Sequence, residues 1–202
     1  ESGAGENGVS LARYADDVMS LLNYLGIGRA AFVGAGLGGY VLLELLVRTP
    51  KIAASVTFID TMSKAADTTE KKGCDELLSL IESGDHLKTA QLWKALYGRG
   101  GEFVLWKSVS LQGGRQALQA LRDRRDFTVR VRDFRLPALV LGREMSSRHD
   151  AFLATALPYG ARCTLVEQDG KGWQEKLSEV LLQFLEGLRE SRRGPQLLRQ
   201  VA

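Results

Sequence analysis

Histidine and cysteine are scarce in this chain, which has only two of each among its 202 residues. Cys74 and Cys163 lie far apart without the spacing of a metal site, so the sequence predicts a reducing intracellular compartment and no disulfide framework. A catalytic base of the histidine type would have to be His86 or His149. No apolar run approaches the roughly 20 residues that a membrane-spanning helix requires.

Positive and negative charges nearly balance, because the chain has 27 lysines and arginines and 24 acidic residues. Its net charge is +3. This excess is too small to predict nucleic-acid binding by itself. The arginines concentrate in one stretch, interleaved with aspartates, at Arg122, Arg124, Arg125, Arg130, Arg132 and Arg135. Such a stretch is typical of a solvated ion-pair surface, and it also suits a polar docking face for a protein partner.

Glycine, by contrast, is plentiful, and the glycine-rich segment 32–39 has two interpretations. Gly34, Gly36 and Gly39 satisfy the G-x-G-x-x-G pattern of a dinucleotide site, with Asp60 about 20 residues further on as its acid. The same segment matches the G-x-S-x-G pattern of a nucleophile elbow, with Gly36 in the place of the serine between Gly34 and Gly38. The first interpretation makes the turn a phosphate cradle, and the second makes it a catalytic elbow without its nucleophile.

Hydrophobic spacing predicts the order of the secondary structure. Continuous apolar runs predict buried strands at residues 30–33, 55–59, 138–141 and 163–166. Helical spacing predicts long helices at residues 11–25, 40–47 and 173–190, and short ones at 75–81, 87–97, 103–111 and 116–121. This order predicts an α/β fold, in which a parallel sheet carries a helical insertion.

The same pattern predicts one domain with a cap. Its core would begin with a helix and two strands, and would end with two more strands and a helix. The expected segments are a first core part at 1–60, a helical cap at 61–128, a second core part at 129–190 and a basic tail at 191–202.

Two observations favour the elbow over the phosphate cradle. A dinucleotide fold needs a small residue four places after its last glycine, and this position is Leu43. Blocks of sequence also resemble the α/β-hydrolase family in their order and spacing, at residues 14–27, 32–41, 48–61, 136–142 and 157–173. The resemblance implies a sheet of the α/β-hydrolase type, with a helical cap where the family keeps one.

The resemblance also implies that the catalytic triad is lost. It puts the nucleophile at Gly36, the acid near Met145 and the base at Lys171, and these three residues cannot perform acyl transfer together. Glu144 is a neighbour of the acid position and not a match. Asp60 lies where some members keep a relocated acid, and we interpret His149 with Asp150 as a surface pair. We therefore expect an inactive protein without a cofactor; an active hydrolase with an unusual site and a ligand-binding module remain alternatives.

Finally, the resemblance predicts that strands preceding the strand 30–33 are missing from this chain. Ala30, Ala31, Phe32 and Val33 would then form an edge strand with unpaired backbone groups, which needs a cover. A preceding segment or another protein would supply it, and the chain begins at Glu1 instead of a methionine. We therefore expect a structural or accessory subunit of a larger protein complex, with a mitochondrial assembly as the setting.

Overall fold

The structure is a computed structural model that describes residues 10–97, 111–143, 153–154, 156–158, 160–165 and 173–191. The chain divides into two compact units. The helical unit comprises Glu1–Gly26 and Lys64–Phe127, and the sheet unit comprises Ile27–Ser63 and Thr128–Ala202.

A four-stranded parallel sheet forms the sheet unit, with its strands in the order of the chain. The strands are β1 (Ala30–Ala35), β2 (Ala53–Ile59), β3 (Ala138–Arg143) and β4 (Gly160–Leu165). This confirms the predicted α/β class and the parallel sheet of about four strands. In the described part of the sheet β1 is an edge strand, as the sequence predicted.

Two helices of the sheet unit build its core. Helix α2 (Leu37–Arg48) follows β1 after a single residue, and every side-chain position from Gly39 to Leu46 is buried. The long C-terminal helix (Trp173–Ser191) packs Val180 and Phe184 against strand residues of β2 and β3. Its apolar stripe repeats at helical spacing, so one face of the helix covers the sheet.

Four helices make up the described part of the helical unit. They are α1 (Leu11–Tyr24), α3 (Thr68–Ser83), α4 (His86–Tyr97) and α5 (Leu111–Arg122), so the C-terminal helix of the sheet unit is α6. Helix α3 begins at a reciprocal capping box between Asp67 and Glu70 and ends at Gly84, whose left-handed conformation suits glycine. Leu77 and Ile81 of α3 pack against Leu118 of α5.

Most of the helices and strands begin or end a few residues away from the predicted positions. The helix predicted for 40–47 begins at Leu37, because the glycines of its first turn carry no apolar signal. The helix predicted for 116–121 begins at Leu111 and takes up the end of the pattern at 103–111. Residues 103–110 and the tail beyond Ser191 lie outside the described residues.

Candidate functional site

The chain turns from β1 into α2 at Gly36, and this elbow is the candidate site. Gly36 has φ 49° and ψ −115°, a positive-φ conformation that L-amino acids adopt only with strain. Its backbone N–H donates a 2.9 Å hydrogen bond to the carbonyl oxygen of Ile59, and its own carbonyl accepts from the N–H groups of Gly39 and Tyr40 at 3.0 and 3.3 Å. One residue therefore ends the strand and begins the helix.

The flanking glycines are required by packing. A Cβ atom on Gly34 would lie 2.7 Å from the carbonyl oxygen of Gly38 and 2.7 Å from Cδ1 of Leu42. A Cβ atom on Gly39 would overlap the side chain of Thr61. Glycine at these positions lets α2 approach β1 and the segment after β2 closely.

The space around Gly36 is different. No heavy atom lies within 4 Å of the position that its Cβ atom would take, and the same holds for Gly38. Glycine at position 36 is therefore favoured by the backbone conformation alone, and the elbow has room for a side chain there. The turn therefore presents at its centre a residue without a side chain.

Two residues at the end of β2 lie beside the elbow, because Ala35 pairs with Ile59 in the register of β1 and β2. Asp60 has φ 47° and is the one non-glycine residue with positive φ in the described part of the chain. The hydroxyl of the fully buried Thr61 donates a 3.0 Å hydrogen bond to the carbonyl of Ile59. The sequence analysis identified Asp60 as a candidate but did not identify Thr61. No local sequence pattern predicts that Thr61 packs against Gly39, which lies 22 residues earlier in the chain.

The other predicted catalytic positions cannot be placed beside the elbow. Met145 and Lys171 lie outside the described residues, and so do Glu144, His149 and Asp150. His86 is described, and it is an exposed residue at the start of α4 in the helical unit. Of the three positions that the sequence analysis assigned to the triad, the structure describes only Gly36.

Arg124 is not part of an exposed arginine face, which corrects its place among the candidate interface residues. Its side chain is buried, and Nη2 contacts Oε1 and Oε2 of Glu70 at 2.7 and 2.6 Å. Its Nε and Nη1 donate to the carbonyl oxygens of Lys64 and Leu121 at 3.1 Å each. Arg124 thus joins the beginning of the helical insertion to the end of α5.

The other arginines of the stretch divide between the two units. In the helical unit, Arg122 pairs with Asp75 at 2.6 Å and with Asp123 at 2.8 Å, and hydrogen bonds to these carboxylates raise its pKa. Arg125 lies over the ring of Phe127, 5.0 Å from the ring centre. In the sheet unit Arg130, Arg132 and Arg135 are exposed.

The predicted edge strand is exposed along one side. Ala31, Val33 and Ala35 are exposed, Val33 to 51%, while Gly34 is buried and Phe32 is half-buried. The sequence analysis placed the strand at residues 30–33, and the structure extends it to Ala35.

The residues that the structure describes contain no group of three histidine, cysteine or acidic side chains that could hold a metal ion. None of their helices is long and apolar enough to cross a membrane.

No protein-family model matches this chain. Its structure is similar to that of MGS-M2, an α/β-hydrolase enzyme from a Medee basin deep-sea metagenome library, with a TM-score of 0.79 at 14% identity over 100% of this chain and 78% of that one. An esterase from Exiguobacterium antarcticum matches with a TM-score of 0.78 at 14% identity, over 92% of this chain and 77% of its own. A hydrolase from Pseudomonas aeruginosa matches with a TM-score of 0.72 at 21% identity, over 91% and 74%.

Proposed function

Because the chain has the α/β-hydrolase fold and glycine at its elbow, we propose that it is a catalytically inactive protein that serves as an accessory subunit of a larger protein assembly. The observation that carries this proposal is Gly36. Acyl transfer on this fold needs a hydroxyl or thiol at the elbow, together with a base and an orienting acid. The side chain of Gly36 is a single hydrogen atom, which cannot act as a nucleophile.

Retention of the elbow's shape supports a role that depends on structure and not on chemistry. Gly34 and Gly39 still meet the packing requirement of the turn, and Gly36 adopts without strain the conformation that costs other residues about 1–3 kcal/mol. A glycine at the centre therefore relieves strain that a catalytic serine would impose. This substitution suits a protein that is kept for its fold.

The edge of β1 supports the assembly part of the proposal. An apolar edge strand presents unpaired N–H and C=O groups and tends to pair with another chain. Within the described sheet β1 has a neighbour on one side only, and its exposed residues are uncharged. The mitochondrial setting and the reducing compartment rest on the sequence alone and belong to this proposal.

Labelling with a serine-directed fluorophosphonate tests the inactivity. We expect the purified chain to remain unlabelled and to hydrolyse p-nitrophenyl acetate no faster than a heat-unfolded sample. An active esterase of the same fold serves as the positive control. Labelling at a single site that is abolished by denaturation would show an unusual nucleophile and would overturn the proposal.

Native fractionation tests the assembly. We expect the protein in an extract of its source cells to elute from a sizing column at a mass far above 22.2 kDa. Elution as a monomer over a range of extract concentrations would contradict the subunit role.

One observation favours ligand binding without chemistry as a second candidate. Asp60 holds a strained backbone conformation at the carboxyl ends of the parallel strands, where ligands bind in many α/β proteins. A thermal-shift screen of small esters, acids and alcohols tests this candidate. A stabilising compound whose effect is lost in Asp60→Asn and kept in Asp16→Asn would support it.

A further inference from the structure

Two helices of the helical unit carry opposite charges at matching positions. Asp75 and Glu82 of α3 are separated by about two helical turns, and so are Arg115 and Arg122 of α5. Each pair of like charges therefore lies on one face of its helix. Arg115 contacts Glu82 at 2.8 Å, and Arg122 contacts Asp75 at 2.6 Å. Because the later arginine meets the earlier carboxylate, the two helices are antiparallel.

A third pair follows directly after α5, where Arg124 contacts Glu70 in the first turn of α3. The three contacts together are called the arginine row: Arg115–Glu82, Arg122–Asp75 and Arg124–Glu70. Every arginine of the row comes from the α5 side, and every carboxylate comes from α3. A shift of α5 by one turn would leave these charges without their partners, so the row fixes the position of α5 along α3.

The apolar contact between the two helices is small. Leu77 and Ile81 of α3 and Leu118 of α5 form its buried cluster. Along both helices this cluster lies between the first two pairs of the arginine row. The ion pairs therefore supply a substantial share of the contact between α5 and α3.

The three pairs differ in strength along the row. The arginine side chain is 49% exposed at Arg115, 36% at Arg122 and 4% at Arg124. The number of contacts rises in the same direction. Arg115 has a contact through Nη2, Arg122 binds both oxygens of its carboxylate, and Arg124 binds a carboxylate and two backbone carbonyls. Water and salt weaken an exposed ion pair more than a buried one, so the row is weakest at Arg115.

The helix ends show the same difference. At the strong end of the row, Glu70 also accepts a hydrogen bond from the backbone N–H of Asp67 and so belongs to the capping box of α3. At the weak end, α3 stops at Gly84, and the first turn of α5 contains Gly113 and Gly114. Glycine disfavours the helical conformation inside a helix. Ion pairs and backbone propensity therefore agree on which end opens more easily.

We propose that the contact between α3 and α5 opens from one end only. The start of α5 separates from the end of α3 and uncovers Leu118, while Arg124 keeps the other end closed. Local opening of this kind occurs where few apolar contacts and exposed polar ones hold a segment. Ionic strength sets how often the open form occurs, because the pair at the opening end is exposed to salt. This device does not depend on whether the protein is inactive or belongs to an assembly.

Hydrogen exchange of the native chain, followed by NMR, tests the direction of opening. We expect the protection factors of Ala117 and Ile81 at the opening end to be at least about tenfold lower than those of Leu121 and Cys74 at the closed end. Simple fraying would act at both ends of each helix and would not produce this difference. Equal protection at the two ends, or lower protection at the closed end, would overturn the proposal.

Two matched variants test the weak pair. Arg115→Gln removes the exposed pair of the row, and Arg13→Gln removes the same charge from an exposed pair with Asp17 on α1. We expect Arg115→Gln to lower the protection of Ala117 about threefold and to leave Leu121 unchanged, since one exposed pair contributes little. Arg13→Gln should change neither amide. An Arg115→Gln variant with unchanged protection at Ala117 would show that the pair does not hold this end.

Substitution of Arg124 tests the closed end. Arg124→Gln should lower the protection of Leu121 and Cys74 about tenfold or more, to the level of the opening end, because a buried partner is lost. If Arg124→Gln does not fold, Arg124→Lys keeps the charge but cannot serve Glu70 and two carbonyls at once. Protection of Leu121 that stays high in the folded variant would show that Arg124 does not close this end.

Salt provides a test without any substitution. Raising sodium chloride from about 20 mM to about 500 mM shortens the screening length and should lower the protection of Ala117 about threefold. Leu121 at the closed end and Phe58 in the sheet unit should change by less than about 1.5-fold, because a buried pair is screened less and Phe58 lies in an apolar strand. An equal response of all three amides would contradict opening from one end.

Discussion

The backbone N–H of Gly36 donates a hydrogen bond of 2.9 Å to the carbonyl oxygen of Ile59, the last residue of β2. This bond continues the ladder between β1 and β2 into the turn, so the elbow is held by its neighbour strand and not by a side chain of its own. The geometry of the elbow therefore does not depend on a side chain at position 36.

Gly36→Ser should destabilise the protein without creating an esterase. Serine would have to adopt φ near 49° at a cost of about 1–3 kcal/mol, although its side chain meets nothing within 4 Å. The members of a triad act as a unit, so a hydroxyl alone gives no useful rate. Urea unfolding and p-nitrophenyl acetate hydrolysis measure the two effects.

Gly38→Ser is the matched control. Its Cβ atom also meets nothing within 4 Å, and Gly38 is not among the residues with positive φ. We expect its free energy of unfolding to stay within about 0.5 kcal/mol of the parent. A loss as large as that of Gly36→Ser would show that the backbone conformation is not the cause, and a large gain in esterase rate at position 36 would show a working base nearby.

Gly39→Ala should destabilise the elbow through steric overlap with Thr61. Overpacking of this kind typically costs about 1–3 kcal/mol. Thr61→Gly in the same chain should recover part of the loss, and a double-mutant cycle measures the coupling from urea unfolding. Additive effects of the two substitutions would contradict the contact.

Arg124→Met should destabilise the helical unit by about 2–3 kcal/mol, because Glu70 and two backbone carbonyls lose their donor. This figure is below the roughly 3–5 kcal/mol that breaking a fully buried pair costs, since the side chain of Glu70 is 31% exposed. Arg122→Met removes an exposed pair and should cost less than about 1 kcal/mol. Thermal unfolding of both variants measures whether the loss of the buried Arg124 side chain costs more stability than the loss of the exposed Arg122 side chain.

Asp85 should make the helical unit less stable in acid. Its carboxylate accepts a 3.0 Å hydrogen bond from the backbone N–H of Lys88 and lies 2.9 Å from Lys88 Nζ; the backbone bond is the main cause that lowers its pKa. A pKa that is lower in the folded state contributes stability above the unfolded value of about 3.9, and this stability is lost as the pH falls through the folded pKa.

Asp85→Asn removes this titration and keeps a residue that can cap α4. We expect the stability difference between the parent and Asp85→Asn, measured by urea unfolding, to shrink between pH 6 and pH 3. Glu175→Gln, at an exposed position of α6, controls for the change in net charge. A difference that stays constant across this range would contradict the role of Asp85.

Much of the fold could be predicted because hydrophobic spacing is a local signal. The continuous apolar run before Asp60 indicated a buried strand, and the stripe that includes Val180 and Phe184 indicated a helix with one covered face. The glycine pattern located the elbow at Gly36, since a tight turn at that place needs specific residue types. Helix ends were predicted less well, because glycines and caps carry little periodicity.

Arg124 shows where the sequence misled. In the sequence it is one of several arginines among aspartates, a pattern typical of a surface. The fold brings Glu70 and the carbonyl of Lys64 against it from more than 50 positions earlier in the chain, at sequence separations of 54 and 60. No local pattern records which arginine meets such partners.

The sequence by itself determined that the chain forms a parallel α/β sheet with a glycine elbow, because strand runs, helical stripes and turn residues act over short distances. Only the tertiary structure decided that Gly39 closes against Thr61, that Arg124 is buried and that Ala31, Val33 and Ala35 are the exposed residues of β1. These contacts depend on strand register and on the packing of segments that are distant in the chain, and neither is encoded in the spacing of neighbouring residues.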